Sequence, residues 1–466
     1  MGIKSIVNFR SRPVYFFLTL QFIISFFLGH NFFINGYEPI GDEIDYVYHM
    51  NAMLERLETN GFVADSFNIN VDRLPGFPVY LAAIKSIFSS LKISEVFYQG
   101  IFLINLIMMI WVANAIYYLL LALKIDKVIS LLASTLLITS PTIIRYEFSI
   151  LTEIPYLFSI IYIINYLFKV RASGGLSLWS SPLVASTIVF SCLTKIHMFY
   201  LLMPAVLLII FWAIRSKRVV FLLPAAPILL GLMVASEMQE ARIDYVESQT
   251  GRKVASTLIF LNLNSEMIAQ THYYEDYPLS AFRSENRDAA QSHNEVFNAL
   301  YIELGPMAAY RYSLEYRMQR IRGVMLSLTN NLITQVTMPD YGFWWSRNVA
   351  ADFYAQDQFT DIFYIVSDAY NGNLNSFLVG VYYFAFTVFT VYGFVLLGSQ
   401  PPFGSILGLS CVFFSFLLGP YLGILIGAEP RFRIPQLPFY ALAHAYALIS
   451  LVPRSIFGGI PRGLSR

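Results

Sequence analysis

Charge is scarce in this chain, and cysteine scarcer still. Only 13% of the 466 residues are Asp, Glu, Lys or Arg, where about a quarter is usual for a globular chain. That leaves too little charge to cover a water-exposed surface, so a soluble enzyme of this size is excluded. The two cysteines, Cys192 and Cys411, lie in separate apolar runs; neither a disulfide framework nor a thiolate zinc site can be read, and buried inert thiols are expected. There is no excess of one sign either. The 31 Lys and Arg stand against 30 Asp and Glu, so no basic field argues for nucleic acid. The chain has no Asn-x-Ser/Thr acceptor, which favours a bacterial or archaeal setting over a lumenal eukaryotic one. Solenoid-period repeats, low-complexity stretches and an obvious duplication of halves are lacking too.

What the chain has is apolar length: 56% of its residues are hydrophobic and 16% aromatic. Runs of about 20 apolar residues recur, each long enough or nearly so to cross hydrocarbon. The first, 14–33, follows Lys4, Arg10 and Arg12. It is too long for a secretory signal and lacks a small-residue cleavage site, so it reads as an uncleaved helix with its N-terminus inside. Further spans fall at 96–123, 128–144, 150–168, 182–197, 199–214, 219–236, 374–398, 403–427 and 435–452. The run 77–91 carries Lys85 and is bracketed by Pro75 and Pro78 on one side and by polar residues on the other, which suits a helix lying at the outer interface.

Charge bias supports this arrangement. With ten spans the inner segments hold 13 Lys and Arg against the single acid Asp126, a positive-inside signature; an eleventh span at 77–91 would export Lys124 and Lys127. The expected fold class is therefore an all-α polytopic membrane protein of about ten transmembrane helices, with interfacial helices and a largely helical outer segment. Residues 1–236 form an N-terminal transmembrane module with a first outer loop at 34–95. Residues 237–373 form an outer, periplasmic cap, and 374–466 supply the C-terminal transmembrane helices. The cap mixes charge with tyrosine around Tyr273 and Tyr274, and 300–333 has helical periodicity with Arg311, Arg317, Arg320 and Arg322 among apolar residues.

The ionisable residues gather on the outer side. Gly41-Asp42-Glu43-Ile44-Asp45-Tyr46 follows the first helix. Asp42 reads either as the N-cap of a helix running through His49 or as a catalytic carboxylate held at a helix start. Arg73-Leu74-Pro75-Gly76-Phe77-Pro78 is a sharp turn into the interfacial helix. Glu147 and Glu153 fall at or just inside the outer surface, where an ionisable group is costly unless paired or used; Arg145 is a candidate structural partner. Lys195 and His197 end the fifth span, and Glu429-Pro430-Arg431-Phe432-Arg433-Ile434-Pro435 joins the ninth to the tenth. Snorkelling accounts for any one basic residue at a helix end. It accounts less well for carboxylates and cations from five parts of the chain meeting on one face, which suits proton removal beside a leaving phosphate.

In this order, the motifs resemble the GT-C superfamily of integral-membrane glycosyltransferases, in the branch of protein O-mannosyltransferases and lipid A aminoarabinose transferases. The features are an Asp-Glu pair after the first helix, Arg-x-Pro-Gly-x-Pro, a Pro about ten residues before Thr-Glu, Thr-Lys ending a middle helix, and a late Arg-x-Arg-x-Pro-x-x-Pro. The resemblance implies an inverting transfer of a sugar from a polyprenyl-phosphate carrier to an acceptor hydroxyl on the outer face of the inner membrane. The acceptor would be a lipid, glycan or protein. By carry-over Asp42 would be the general base and Glu43 would orient the acceptor, the donor or Asp42. Lys195 with Arg431 or Arg433 would neutralise the departing phosphate, and Arg73 and Glu153 would shape the sugar pocket. Tyr46, His197, Tyr273 and Tyr274 are candidates for the acceptor side, since aromatic rings offer an apolar face with a polar tip. No cofactor or obligatory metal is expected; Asp42, Glu43 and Asp45 could reach a divalent ion through oxygen, but carboxylates this close in sequence do not specify one. The competing readings are a polyprenyl-linked glycan polymerase or ligase, which Arg311 to Arg322 keep open, and a lipid-carrier flippase or transporter.

Overall fold

The structure, a computed structural model, describes residues 12–28, 37–39, 42–61, 74–140, 146–173, 180–195, 222–250, 303–326, 388–396 and 437–451, with short or single positions near 143, 198–217, 295–300 and 385–386. Every regular element among the described residues is helical: α1 (Arg12–Leu28), α2 (Asp42–Asn60), α3 (Gly76–Ser90), α4 (Phe97–Ala122), α5 (Lys127–Ile138), α6 (Glu153–Ser173), α7 (Ser180–Thr194), α8 (Ala225–Thr250), α9 (Pro306–Gln319) and α10 (Leu437–Leu451). The all-α class therefore holds. Continuous with a 3-10 turn ahead of it, α4 forms an apolar helix Ser94–Ala122 of 29 residues, about 43 Å long at 1.5 Å per residue. It is the one helix among the described residues long and apolar enough to cross a bilayer. The expected span at 219–236 is exceeded, because α8 runs on to Thr250 through Glu237, Glu240 and Asp244.

Local chemistry sets several boundaries. Asp126 caps α5, its carboxylate accepting from the Val128 N–H at 2.8 Å. Pro306 opens α9 after Gly305. Both α3 and α4 end in a left-handed residue that is not glycine: Lys92 at φ 60° and Lys124 at φ 65°. In each the following N–H bonds five residues back, Ile93 to Phe88 and Ile125 to Leu120, closing the turn as a Schellman motif.

The chain forms two compact units, Met1–Ala115 with Tyr146–Ile259, and Ile116–Arg145 with Phe260–Arg466. In the first, α7 packs on α8, α6 and α3, and α3 packs on α2. Its apolar core takes Tyr156, Ile160 and Ile163 from α6, Val184, Ile188 and Cys192 from α7, and Ala225, Ile228 and Ala235 from α8. Cys192 is buried and free, as expected. In the second unit α10 packs on α5. Ala441, Ala443, Ala445 and Ala447 of α10 are buried, and a Cβ on Gly393 would overlap the Ala443 backbone. Small residues bring those backbones together. Thr390 Oγ1 lies 2.9 Å from His444 Nε2 in the same contact.

Candidate functional site

The polar centre of the first unit is the irregular segment 146–152 with the first turn of α6. Tyr146, Glu147, Phe148, Ser149, Ile150, Thr152 and Glu153 of this stretch are all buried. Buried backbone without a helix must find its hydrogen bonds elsewhere, and side chains from other helices supply them. Asn105 of α4 donates from Nδ2 to the carbonyls of Glu147 (3.2 Å) and Ser149 (3.3 Å). The Ile150 N–H donates to Glu43 Oε1 at 3.1 Å, and the same oxygen accepts from the Tyr37 hydroxyl at 2.5 Å. Glu43, expected on a ligand or on Asp42, is thus spent at least in part on fixing backbone. It ties the start of α2, whose first residue is Asp42, to this segment.

Three residues beyond Ile150, Glu153 opens α6. Its Oε1 accepts from Lys195 Nζ at 2.6 Å, and Thr152 donates to its Oε2 at 3.3 Å. A carboxylate at a helix start and a cation just past a helix end each sit where the macrodipole favours them. Glu153 is 2% exposed and Lys195 14%; the ammonium also lies 5.7 Å from the centroid of the Tyr156 ring. Ile150 and Glu153 can be no more than about 11 Å apart by Cα spacing. The Glu43 latch and the Glu153–Lys195 pair therefore stand on one short stretch.

The turn into α3 joins them. Gly76 presses against α7 so closely that a Cβ would come within 2.7 Å of the Leu193 carbonyl carbon and 2.8 Å of its oxygen. The contact is with the last residues of α7, directly before Lys195. Tyr46 meets Phe77 edge-on at 4.9 Å and Lys85 donates to Asn51 at 2.6 Å, so α2 and α3 run side by side in the same direction. The N-termini of α2, α3 and α6 and the C-terminal end of α7 all meet here. Tyr46, a candidate for the acceptor side, is half-buried and packed on Phe77.

Glu147 departs furthest from expectation. It is fully buried, and its partner is Gln21 of α1, whose Nε2 donates to Glu147 Oε1 at 2.8 Å. Arg145, the candidate partner in sequence, lies outside the described residues. Gln21 stands at the middle of α1, so Glu147 sits at that level and not at the helix end. Burial holds its carboxyl well above the usual carboxylate range, the Gln21 bond offsetting part of that.

The structure thus brings Glu43, Glu153 and Lys195 together beside the first residue of α2. Arg73, His197, Tyr273, Tyr274, Arg431 and Arg433 lie outside the described residues. Gln21, Tyr37 and Asn105 were not singled out in sequence; a lone amide in an apolar helix is the only local signal that two of them carry. Among the described residues no three His, Cys, Asp or Glu side chains gather as a metal site would require. No family model matches the chain, and no curated protein matches it.

Proposed function

We propose that the chain is an integral-membrane, inverting glycosyltransferase of GT-C type that takes a sugar from a polyprenyl-phosphate carrier and passes it to an acceptor hydroxyl on the outer face of the membrane. The observation that carries this reading is the convergence just described. Asp-Glu after the first helix, Thr-Glu at the start of α6 and Thr-Lys at the end of α7 are far apart in sequence and belong to one polar stretch in space. Asp42 is the general base, removing the acceptor proton as its oxygen attacks the anomeric carbon and the carrier phosphate leaves from the opposite side. Lys195 meets the charge growing on that phosphate. One N–H is committed to Glu153 and the ring of Tyr156 lies beside the ammonium, which leaves further donors on a side chain that is 14% exposed. Converging helix N-termini reinforce an anion's preference for this place.

Glu43 is a positioning residue in this scheme, with Glu153 holding Lys195 in place. Arg73 and either Arg431 or Arg433 complete the donor site, and Tyr273, Tyr274 and His197 belong to the acceptor side. The ten-span topology, with termini in the cytoplasm and the segment 237–373 as an outer cap, is part of the same proposal; the length and hydropathy of Ser94–Ala122 support it. The donor's lipid tail then enters laterally, with its phosphate at headgroup height. The test is transfer in liposomes from a panel of polyprenyl-phosphate sugars by wild type and Asp42→Asn. Wild type is expected to transfer at least one sugar, and a folded Asn variant to lose the activity by a factor of about 100 or more. A fully active Asn variant removes Asp42 from the mechanism.

A second reading, a carrier for a lipid-linked substrate, draws on Glu147, since an ionisable group level with the middle of an apolar helix is a feature of proton-coupled transport. Vesicles separate the two, because a transporter moves the lipid-linked sugar without cleaving it.

A further inference from the structure

Among the buried polar atoms of the first unit that have no hydrogen-bond partner, two belong to one bonded pair: Glu147 Oε2 and Gln21 Oε1. The other two atoms of the same groups make the 2.8 Å bond. A carboxylate without solvent or a cation is expensive to bury, whereas a carboxylic acid presents one hydroxyl and one carbonyl, the complement of an amide. Among the described residues, the side chains bonded to Glu147 and its neighbours carry no charge: Gln21 comes from α1, Asn105 from α4 binds its carbonyl, and Ser149 bonds back to the Tyr146 carbonyl. The titratable groups further along the segment are engaged elsewhere, Glu43 with Tyr37 and the Ile150 N–H, and Glu153 with Lys195.

We propose that the Gln21–Glu147 pair is a proton-dependent positioning device that docks α1 on the segment 146–152 and so holds Ile150, and through Glu43 the start of α2, at working height. The coupling to Asp42 rests on the transferase reading; the protonated pair itself does not. With its proton Glu147 closes a two-bond acid–amide pair by a small rotation of either group. Without it, two acceptor oxygens face each other in a dry interior and the pair opens. The folded chain keeps this proton above the pH at which an ordinary carboxyl, with a value of 4.5, releases it. Stability from the pair is therefore complete at low pH and lost as pH rises through the raised folded value.

The test uses the full chain in detergent or liposomes and three variants, Glu147→Gln, Gln21→Leu and the swap Gln21→Glu with Glu147→Gln. Infrared spectra of wild type at neutral pH should carry a protonated-carboxyl band that Glu147→Gln lacks and the swap restores. The apparent unfolding temperature of wild type should fall with rising pH more steeply than that of Glu147→Gln. In the transfer assay Gln21→Leu should lower kcat while leaving the apparent KM for the donor unchanged, and the swap should recover it. No band difference between wild type and Glu147→Gln, or parallel pH dependence of the two, overturns the proposal. A swap as impaired as Gln21→Leu overturns the positioning role. Absence of transfer by wild type counts against the transferase reading alone, since the infrared and thermal measurements remain decisive for the pair.

Discussion

Replacing Lys195 by methionine keeps most of the side chain's bulk and removes its charge. At the observed 2.6 Å, two unit charges in an effective dielectric of 20 attract by about 6 kcal/mol, a gross figure against which the desolvation of both ions must be set. What remains on truncation is the cost of a carboxylate left alone in the interior, about 3–5 kcal/mol for a fully buried pair. Glu153 keeps the Thr152 hydroxyl and the favourable end of α6, so the lower end, about 3 kcal/mol, is expected for Lys195→Met. Glu153→Gln is milder, about 1–2 kcal/mol, because Lys195 already reaches partly exposed surface and can turn its ammonium outward. The double variant should cost less than the sum of the two by about 2 kcal/mol, the coupling energy of the pair. Denaturant titration of the four proteins in mixed micelles gives the cycle directly. Additive single effects would mean that the ion pair is energetically idle and that Glu153 does not hold Lys195, which would undercut the arrangement proposed for the donor phosphate.

Other substitutions test separate joints of the same unit. Gly76→Ala should destabilise by about 1–3 kcal/mol through overpacking, because the added Cβ meets the Leu193 backbone, which cannot swing aside as a side chain can; thermal unfolding no lower than wild type would contradict the close approach. Glu43→Gln retains an oxygen for Tyr37 and the Ile150 N–H and should be tolerated, whereas Glu43→Ala strands both donors at a cost of about 1–3 kcal/mol, and equal stabilities would show that the latch is not formed. Lys92→Gly should raise stability by up to about 1 kcal/mol, since the left-handed backbone at φ 60° is natural for glycine and costly for lysine; a lower unfolding temperature would mean that the side chain contributes more than the backbone costs.

The helices were legible because their signals are local. Hydrophobic length marks α4, and Pro75-Gly76 marks the turn into α3. Which acids are available for chemistry was not legible, because this depends on partners far away in sequence. Glu43 and Ile150 are 107 residues apart, Gln21 and Glu147 126, and Glu153 and Lys195 42. Two adjacent acids therefore look equivalent in sequence, yet Glu43 is engaged with a backbone N–H. Glu153 and Lys195 were assigned to different parts of one ligand before the structure paired them. Gln21 carried only the weak signal of a single amide among apolar residues of α1, which becomes meaningful once Glu147 is seen beside it.

The proposed site requires this polar stretch to face the outside and the turn between α4 and α5 to face the cytoplasm. Single cysteines at Asp45→Cys, exposed on the first turn of α2, and at Lys124→Cys, between α4 and α5, placed in a Cys192→Ala, Cys411→Ala background and treated in intact cells with a membrane-impermeant thiol reagent, measure it directly. Labelling at position 45 from outside, and at position 124 only after the membrane is opened, is the predicted result. Equal access at both positions, or the reverse order, would contradict it.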